Sequence, residues 1–246
     1  AYGRGVYVIV NIHHEDWHFP SEENKDAAAE QLAALWTAIA TRFRDYDEHL
    51  IFEGMNEPRK IGTSVEWNDG DKEGRDVVNY LDQVFVEAVR ATGGNNTIRN
   101  LMVPGYAASS SDTALKSIVL PQDEHLIVSV HAYTPYNFAL NKEGKSTWDN
   151  DTRDIDHLME LLDELFLSKG VPVIIGEFGA MNKDNEDERV QWARYYVSKA
   201  REYGVPCVWW DNNAFDGDGE NFGLLNRREL TFPYPELLKA LIESAE

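Results

Sequence analysis

The amino-acid sequence predicts an α/β fold of the (β/α)-barrel type, built from six βα units. Short apolar runs alternate with longer segments whose apolar residues recur at helical spacing. The apolar runs are hydrophobic at nearly every position, as strands are when both faces of a parallel sheet are buried. Polar loops rich in Gly and Asp follow several of these runs, which is where a barrel places its functional loops.

Six apolar runs are the predicted strands. They are residues 6–12, 50–55, 100–103, 126–130, 171–176 and 207–210. Because they alternate with helical segments, they indicate βα units and a parallel sheet. A complete barrel has eight such units in about 250 residues, and a parallel sheet of six strands has two open edges. We therefore expect a barrel that lacks two units.

Five segments between and after these runs are the predicted helices. They are residues 26–43, 77–91, 155–169, 186–203 and 237–246. In the first of them, Leu32, Trp36 and Ile39 follow the 3.6-residue period. The polar stretches 62–74, 137–154 and 216–221 are predicted loops. Because there is no linker, low-complexity tract or short repeat, we expect residues 1–246 to be a single domain.

The charge balance restricts the classes of partner. Asp and Glu number 43 against 23 Lys and Arg, which gives a formal net charge of −20. Such a charge repels nucleic acid and anionic membranes, and it is compatible with uncharged partners such as neutral sugars. No apolar run approaches the roughly 20 residues that span a bilayer. Cys207 is the only cysteine, so an internal disulfide is excluded.

Two glutamates stand directly after apolar strands. Glu57 follows the run 50–55, and Glu177 follows the run 171–176. Burial of a carboxylate at the end of an apolar strand costs free energy unless the carboxylate is paired with another group or serves a function. In a parallel barrel these strand ends face one rim, and retaining glycosidases need two carboxylates about 5–5.5 Å apart. The sequence therefore predicts a catalytic pair. Glu53 lies within the strand, so we expect it to make internal hydrogen bonds.

Histidine and aromatic residues follow three other predicted strands. His13 and His14 end the first strand, His131 and Tyr133 end the fourth, and Trp210 ends the last. A histidine or tyrosine beside a nucleophilic carboxylate can hold its orientation and hydrogen-bond sugar hydroxyls. A tryptophan can stack on the apolar face of a pyranose. These residues are thus candidates for sugar binding at the same rim.

Four motifs together resemble glycoside hydrolase family 5. They are Asn56-Glu57-Pro58, His131-x-Tyr133, Gly176-Glu177-Phe178-Gly179 and Trp209-Trp210, in this order and spacing. The resemblance is greatest to the bacterial endoglucanase branch, which also contains xyloglucan-active members. It implies a (β/α)8 barrel in which this chain supplies strands three to eight, and retaining endo-hydrolysis of β-1,4-glucan. The substrate would be cellulose, or xyloglucan or mixed-linkage glucan.

The resemblance also implies a role for each matching residue. Glu57 would be the acid/base and Glu177 the nucleophile, without a metal or cofactor. The implied sugar contacts are His13, His14, Asn56, His131, Tyr133 and Trp210. Asn56 would bind the sugar 2-hydroxyl, and Trp210 would form the floor of the sugar site. The resemblance further implies a secreted protein whose first two βα units, with an arginine that pairs near the nucleophile, come from an N-terminal segment.

Two other function classes remain open at this point. A metal-dependent barrel hydrolase would also carry His and Glu at strand ends. However, His13 and His14 are adjacent, so in a strand they point to opposite sides and give no His-x-His pair on one face. A non-catalytic or inactive carbohydrate-binding barrel fragment could use Trp17, Trp148 and Trp210 as platforms, but it would need no paired acids.

Overall fold

The computed structural model describes residues 2–13, 16–67 and 69–246. The chain forms two compact units, residues 1–130 and 131–246. The strands are β1 (Val8–Asn11), β2 (Leu50–Glu53), β3 (Leu101–Ser109), β4 (Leu126–His131), β5 (Val173–Phe178) and β6 (Cys207–Trp209). The first unit holds β1, β2, β3 and β4 up to Val130. The second unit begins at His131, the last residue of β4, and holds β5 and β6.

Helices follow or separate the strands in both units. They are α1 (Lys25–Arg42), α2 (Lys72–Ala91), α3 (Asp112–Lys116), α4 (Tyr136–Ala139), α5 (Arg153–Leu165), α6 (Glu186–Glu202) and α7 (Pro235–Ala245). Short 3-10 turns span Tyr2–Arg4, Gly94–Thr97 and Leu167–Lys169. All six predicted strands and all five predicted helices are present, which is consistent with part of a (β/α) barrel. The short helices α3 and α4 were not predicted.

The strands of each unit pair in chain order. In the first unit the order is β1-β2-β3-β4. β1 and β2 are parallel, with Asn11 opposite Glu53, and β2 and β3 are parallel. In the second unit β5 pairs with β6 in parallel, with Ile175 opposite Cys207. Parallel neighbours joined through helices are the arrangement that the alternating sequence pattern predicts.

The start of α2 and the end of β3 differ most from the predicted element boundaries. α2 begins at Lys72, inside the predicted loop, because the Asp71 side chain caps it by accepting the backbone N–H of Gly74 at 2.7 Å. β3 continues to Ser109 although Pro104 and Gly105 suggest a break. Its residues 101–108 are buried, so burial on both sides favours an extended chain through the proline.

The core of the first unit fixes the end of β2. Trp36 of α1 is fully buried, and its indole N–H donates to the carbonyl of Gly54 at 2.8 Å. Its ring contacts Phe52 and Phe85 at centroid distances of 5.2 and 4.8 Å. A Cβ at Gly54 would lie 2.7 Å from the Phe85 ring, so no larger residue fits there. The close packing of α2 on this glycine holds the backbone three residues before Glu57.

The core of the second unit holds the segment after β4 against β5. Phe178 at the end of β5 stacks on Tyr196 of α6, with ring centroids 5.0 Å apart. The Tyr196 hydroxyl donates to the carbonyl of Ala132 at 3.0 Å, and the Trp192 indole N–H donates to the carbonyl of Thr134 at 3.0 Å. Ala132 in turn donates its N–H to the carbonyl of Glu177 at 2.9 Å. These bonds fix the backbone on both sides of Tyr133.

Among the described residues, every helix is too short or too polar to cross a lipid bilayer.

Candidate active site

A buried hydrogen-bond network joins the ends of β1 and β2. The side-chain amide of Asn11 donates to Glu53 Oε2 at 2.9 Å and lies 3.3 Å from Asn56 Oδ1 and from His13 Nδ1. Glu53 is buried, and its other oxygen accepts the hydroxyl of Ser129 on β4. Glu53 therefore makes internal hydrogen bonds, as its place within the strand predicted.

The same network positions Asn56. Asn56 is 3% exposed, and its backbone N–H donates to the carbonyl of Ile12 at 3.0 Å. Because Asn56 Oδ1 faces the amide group of Asn11, the N–H donors of the Asn56 amide point away from that contact. The Asn56 amide can thus donate to a hydroxyl or carbonyl oxygen brought to the end of β2.

Glu57 follows β2 by four residues and is held by Arg59. The Arg59 guanidinium donates to the backbone carbonyl of Glu57 at 3.0 Å, and Arg59 Nη1 lies 3.6 Å from Glu57 Oε2. The Glu57 side chain is 15% exposed. A carboxyl group that is partly open to solvent and lies beside an arginine can exchange a proton with a bound molecule.

Glu177 lies near the end of β5, with two groups of the β4 end beside its carboxylate. The Tyr133 hydroxyl donates to Glu177 Oε2 at 2.7 Å. His131 Nδ1 lies 3.6 Å from the same oxygen, which is within ion-pair range when the ring is protonated. The Glu177 side chain is 12% exposed. A donated hydroxyl favours the ionised, accepting form of the carboxylate, which is the form that a nucleophile needs.

Trp210 comes directly after β6. Its backbone N–H donates to the carbonyl of Phe178 at 2.9 Å. The preceding Trp209 packs edge-on against Phe178, with centroids 5.6 Å apart, and its indole N–H donates to the carbonyl of Phe222. The Phe222 ring lies 5.4 Å from Tyr133. Trp210 is thus anchored in the second unit, next to the strand that carries Glu177.

The sequence matches a protein-family model over most of its length. The model of cellulase, glycosyl hydrolase family 5, matches residues 1–216. The chain belongs to glycosyl hydrolase family 5.

Three similar proteins show how this family 5 chain compares with others. It is 52% identical over 246 residues to an endoglucanase B of Neocallimastix patriciarum and covers 99% of its own length in that match. It is 53% identical to a solved GH5-4 broad specificity endoglucanase from Ruminococcus champanellensis with bound cellotriose, with a TM-score of 0.94 over 98% of this chain. A xyloglucan-specific endo-β-1,4-glucanase from a metagenomic library, also solved with cellotriose, is 39% identical with a TM-score of 0.95 over 98% of this chain.

This family 5 chain is shorter than the proteins it matches. It spans 52% of the length of the Neocallimastix endoglucanase. It spans 71% and 72% of the two solved structures.

The family 5 structure brings most of the predicted site residues into two groups. His13, Asn56 and Glu57 lie at the ends of β1 and β2 in the first unit. His131, Tyr133 and Glu177 meet at the ends of β4 and β5 in the second unit, where Trp210 follows β6. His14, the remaining predicted sugar contact, lies outside the described residues.

Sequence reasoning missed Arg59, Glu66 and Trp67 as functional candidates in this family 5 chain. Arg59 lies over the Trp67 ring, 4.1 Å from its centroid, and pairs with Glu66 at 3.2 Å. The only signal was the arginine that directly follows the Asn-Glu-Pro motif. Its contacts depend on how the loop after β2 folds back, and no periodic pattern encodes that.

One of the three tryptophans considered for a pure binding function is too buried to serve it. Trp148 is 4% exposed, so it cannot offer a face to a glycan. Trp17 is half-buried and packs against the core of the first unit, edge-on to His18. Of the three platforms in the carbohydrate-binding alternative, burial excludes Trp148, whereas Trp17 and Trp210 are both half-buried.

Proposed function

We propose that this chain is the catalytic part of a retaining endo-β-glucanase that cleaves β-1,4-glucan by double displacement. The hydrogen bond from Tyr133 to the Glu177 carboxylate carries this proposal, because it gives a strand-end glutamate the setting of an ionised nucleophile. Membership of glycosyl hydrolase family 5 supports the same reading. We assign the nucleophile to Glu177 and the acid/base to Glu57.

In the first step Glu57 protonates the glycosidic oxygen while Glu177 attacks the anomeric carbon. The bond to the leaving sugar breaks, and a glycosyl ester forms on Glu177. In the second step Glu57, now ionised, takes a proton from water. The water oxygen attacks the anomeric carbon, the ester bond breaks, and the product keeps its original configuration.

The neighbouring residues bind and orient the sugar in this proposal. The Asn56 amide, fixed from behind by Asn11, donates to the 2-hydroxyl of the sugar under attack. His13 and His14 add contacts at the end of β1, and His131 holds the Glu177 carboxylate together with Tyr133. Trp210 stacks under the ring. No metal or cofactor takes part, since carboxylates alone supply the proton and the nucleophile.

For substrate we propose β-1,4-glucan, with xyloglucan or mixed-linkage glucan next. Support comes from the broad specificity and xyloglucan-specific endoglucanases that share this fold at TM-scores of 0.94 and 0.95. The excess of acidic residues, with a net charge of −20, suits an uncharged polysaccharide better than an anionic polymer. Family resemblance also favours a secreted protein.

We further propose that residues 1–246 form one catalytic domain, strands three to eight of an eight-stranded barrel, completed by two N-terminal βα units. Three observations support this. The chain spans 71% of a solved relative. Apolar side chains are also exposed at the outer strands: Val6 and Tyr7 just before β1, and Val208, which is 42% exposed, within β6. An apolar groove of about 360 Å³ lies beside β6, lined by Cys207, Trp209 and Leu241 among others.

A panel of soluble glucans tests the proposal. We expect reducing-sugar release from carboxymethyl cellulose, mixed-linkage glucan and xyloglucan, with little release from mannan. The panel is run with residues 1–246 and with an N-terminally extended version, and we expect the extended version to be the more active. Binding of cello-oligosaccharides without turnover by either version would favour the carbohydrate-binding alternative. Activity that disappears on chelation and returns with zinc would favour the metal-dependent alternative.

A further inference from the structure

A buried carboxylate of β2 faces the side-chain amide of Asn11 on β1. Glu53 is 4% exposed, and the strand register places it directly opposite Asn11. Its Oε2 accepts the Asn11 amide N–H at 2.9 Å, and its Oε1 accepts the hydroxyl of the fully buried Ser129. A carboxylate accepts hydrogen bonds and donates none. Glu53 therefore requires the nitrogen of the Asn11 amide, and not the oxygen, to point toward it.

The orientation of the Asn11 amide decides the orientation of two further side chains. Asn11 Nδ2 lies 3.3 Å from Asn56 Oδ1 and 3.3 Å from His13 Nδ1. An amide nitrogen donates hydrogen bonds and does not accept them. Asn56 therefore turns its oxygen toward Asn11 and its NH2 group away from it. By the same rule, Nδ1 is the unprotonated nitrogen of the His13 ring, and the ring proton lies on Nε2.

The backbone on this side of the network is held by bonds of its own. The N–H of Asn56 donates to the carbonyl of Ile12 at 3.0 Å, and the N–H of Gly54 donates to the carbonyl of Met102 at 3.0 Å. A change confined to the carboxyl group of Glu53 leaves these bonds in place. Such a change therefore acts on the orientation of side chains and not on the path of the chain.

We propose that Glu53 is a positioning residue that, through Asn11, fixes Asn56 and His13 as hydrogen-bond donors toward the sugar under attack. The inference rests on the proposed function, which places both of these side chains at that sugar. Glu53 is buried within the network, so it acts through Asn11 and does not touch the substrate. Donors that are oriented before the substrate binds stabilise the transition state without reorganisation during the reaction.

The tautomer of His13 tests this role without any need for activity. Glu53→Gln keeps the size of the side chain, but its amide can donate to Asn11 Oδ1 and so allows the Asn11 amide to turn over. In ¹⁵N NMR at a pH where the ring is neutral, we expect wild-type His13 to carry its proton on Nε2 alone. In Glu53→Gln the proton should be shared between Nδ1 and Nε2. The His13 signal is assigned by its loss in His13→Gln.

A pair of substrates tests the orientation of Asn56 on the version of the protein that is active on glucans. One is 2,4-dinitrophenyl β-cellobioside, and the other is its analogue that lacks the 2-hydroxyl on the sugar under attack. In Glu53→Gln we expect kcat/KM to fall about 10- to 100-fold for the first and to stay within about threefold for the second. Asn11→Ala should give the same selective loss, and the double variant should lose little more than either single variant.

Asp82→Asn is the matched control. It also replaces a buried carboxyl group by an amide in the first unit, but Asp82 lies on α2 and is not a member of the network, so neither the His13 signal nor the two rates should change. Melting temperatures verify that the variants fold. Equal losses of Glu53→Gln on both substrates, no loss on either, or an unchanged His13 tautomer would overturn the inference. If the wild type turned over neither substrate, the proposed function would be wrong, and the His13 spectrum alone would then decide whether Glu53 sets the orientation.

Discussion

At the scale of single residues, hydrogen bonds and solvent exposure distinguish the carboxylates of Glu53 and Glu57. Glu53 and Glu57 lie four residues apart, yet both oxygens of Glu53 accept hydrogen bonds from Asn11 and Ser129, while Glu57 is 15% exposed beside Arg59. Glu53 therefore links β2 to β1 and β4 through hydrogen bonds of its buried carboxylate. Glu57 keeps the solvent access that proton exchange with a substrate requires.

Asp82 is a buried carboxyl group with no role in the proposed chemistry. It lies on the inner face of α2, is 1% exposed, and its Oδ1 lacks a hydrogen-bond partner. Burial raises the pKa of Asp82 well above its usual value. The folded state therefore holds a proton that the unfolded state releases above about pH 4, so this group lowers stability as the pH rises.

Asp82→Asn should therefore stabilise the protein in a pH-dependent way. Removal of the ionisable group should raise the free energy of unfolding at pH 7 by about 1–3 kcal/mol, since holding a proton that the unfolded chain releases costs about 1.4 kcal/mol for each pH unit by which the folded-state pKa is raised. Near pH 3.5 the wild-type carboxyl is protonated in both states, and the difference should nearly vanish. Urea unfolding at the two pH values measures this. A stabilisation that is equal at both would show that ionisation is not its cause.

At the scale of elements, one lysine fixes the loop that follows β4. Lys183 Nζ lies within hydrogen-bond distance of four backbone carbonyls, those of Asn137, Phe138, Asn141 and Lys145, at 2.6–3.2 Å. Desolvation among these four carbonyls, which form the Lys183 cage, lowers the pKa of Lys183. The ammonium thus ties the loop beside Tyr133 to the segment that follows Glu177.

Lys183→Met should loosen this loop. The four carbonyls would lose a charged donor, and we expect a loss of about 2 kcal/mol in unfolding free energy together with a higher KM for glucans. Lys142→Met is the control, because Lys142 lies in the same loop but is exposed and should matter by less than about 0.5 kcal/mol. In Lys183→Ala, added ammonium should restore part of the stability by filling the cage. Stability equal to the wild type in both Lys183 variants would contradict this role.

Much of the fold could be predicted at this scale, because strand and helix patterns are local. The strands carrying Glu53 and Glu177 stand out as apolar runs. The extension of β3 past Pro104 was missed because it depends on burial on both sides. The rule that parallel strand ends share an edge placed Tyr133 and Glu177 at one rim, and the family resemblance implied that Tyr133 lies close to the nucleophile; the structure shows them hydrogen-bonded. The contacts of Arg59 and Lys183 could not be predicted, since they depend on loop paths.

At the scale of the whole molecule, two units each carry half of the proposed chemistry. The first holds Glu57 with its arginine, and the second holds Glu177 with its tyrosine and histidine. The chain spans just over half of one curated endoglucanase. In the proposed mechanism both glutamates serve one double displacement, with Glu177 as the group that attacks carbon.

Azide rescue of the Glu177→Ala variant distinguishes the nucleophile from the acid/base. With 2,4-dinitrophenyl β-cellobioside as substrate, we expect turnover to fall by several orders of magnitude and to return when azide is added. Azide would enter the space left by the carboxylate and yield the inverted α-glycosyl azide, identified by NMR. Glu57→Ala, which keeps the nucleophile, should instead give the β-azide. Near-normal turnover of Glu177→Ala without azide, or a β-azide from it, would contradict the account.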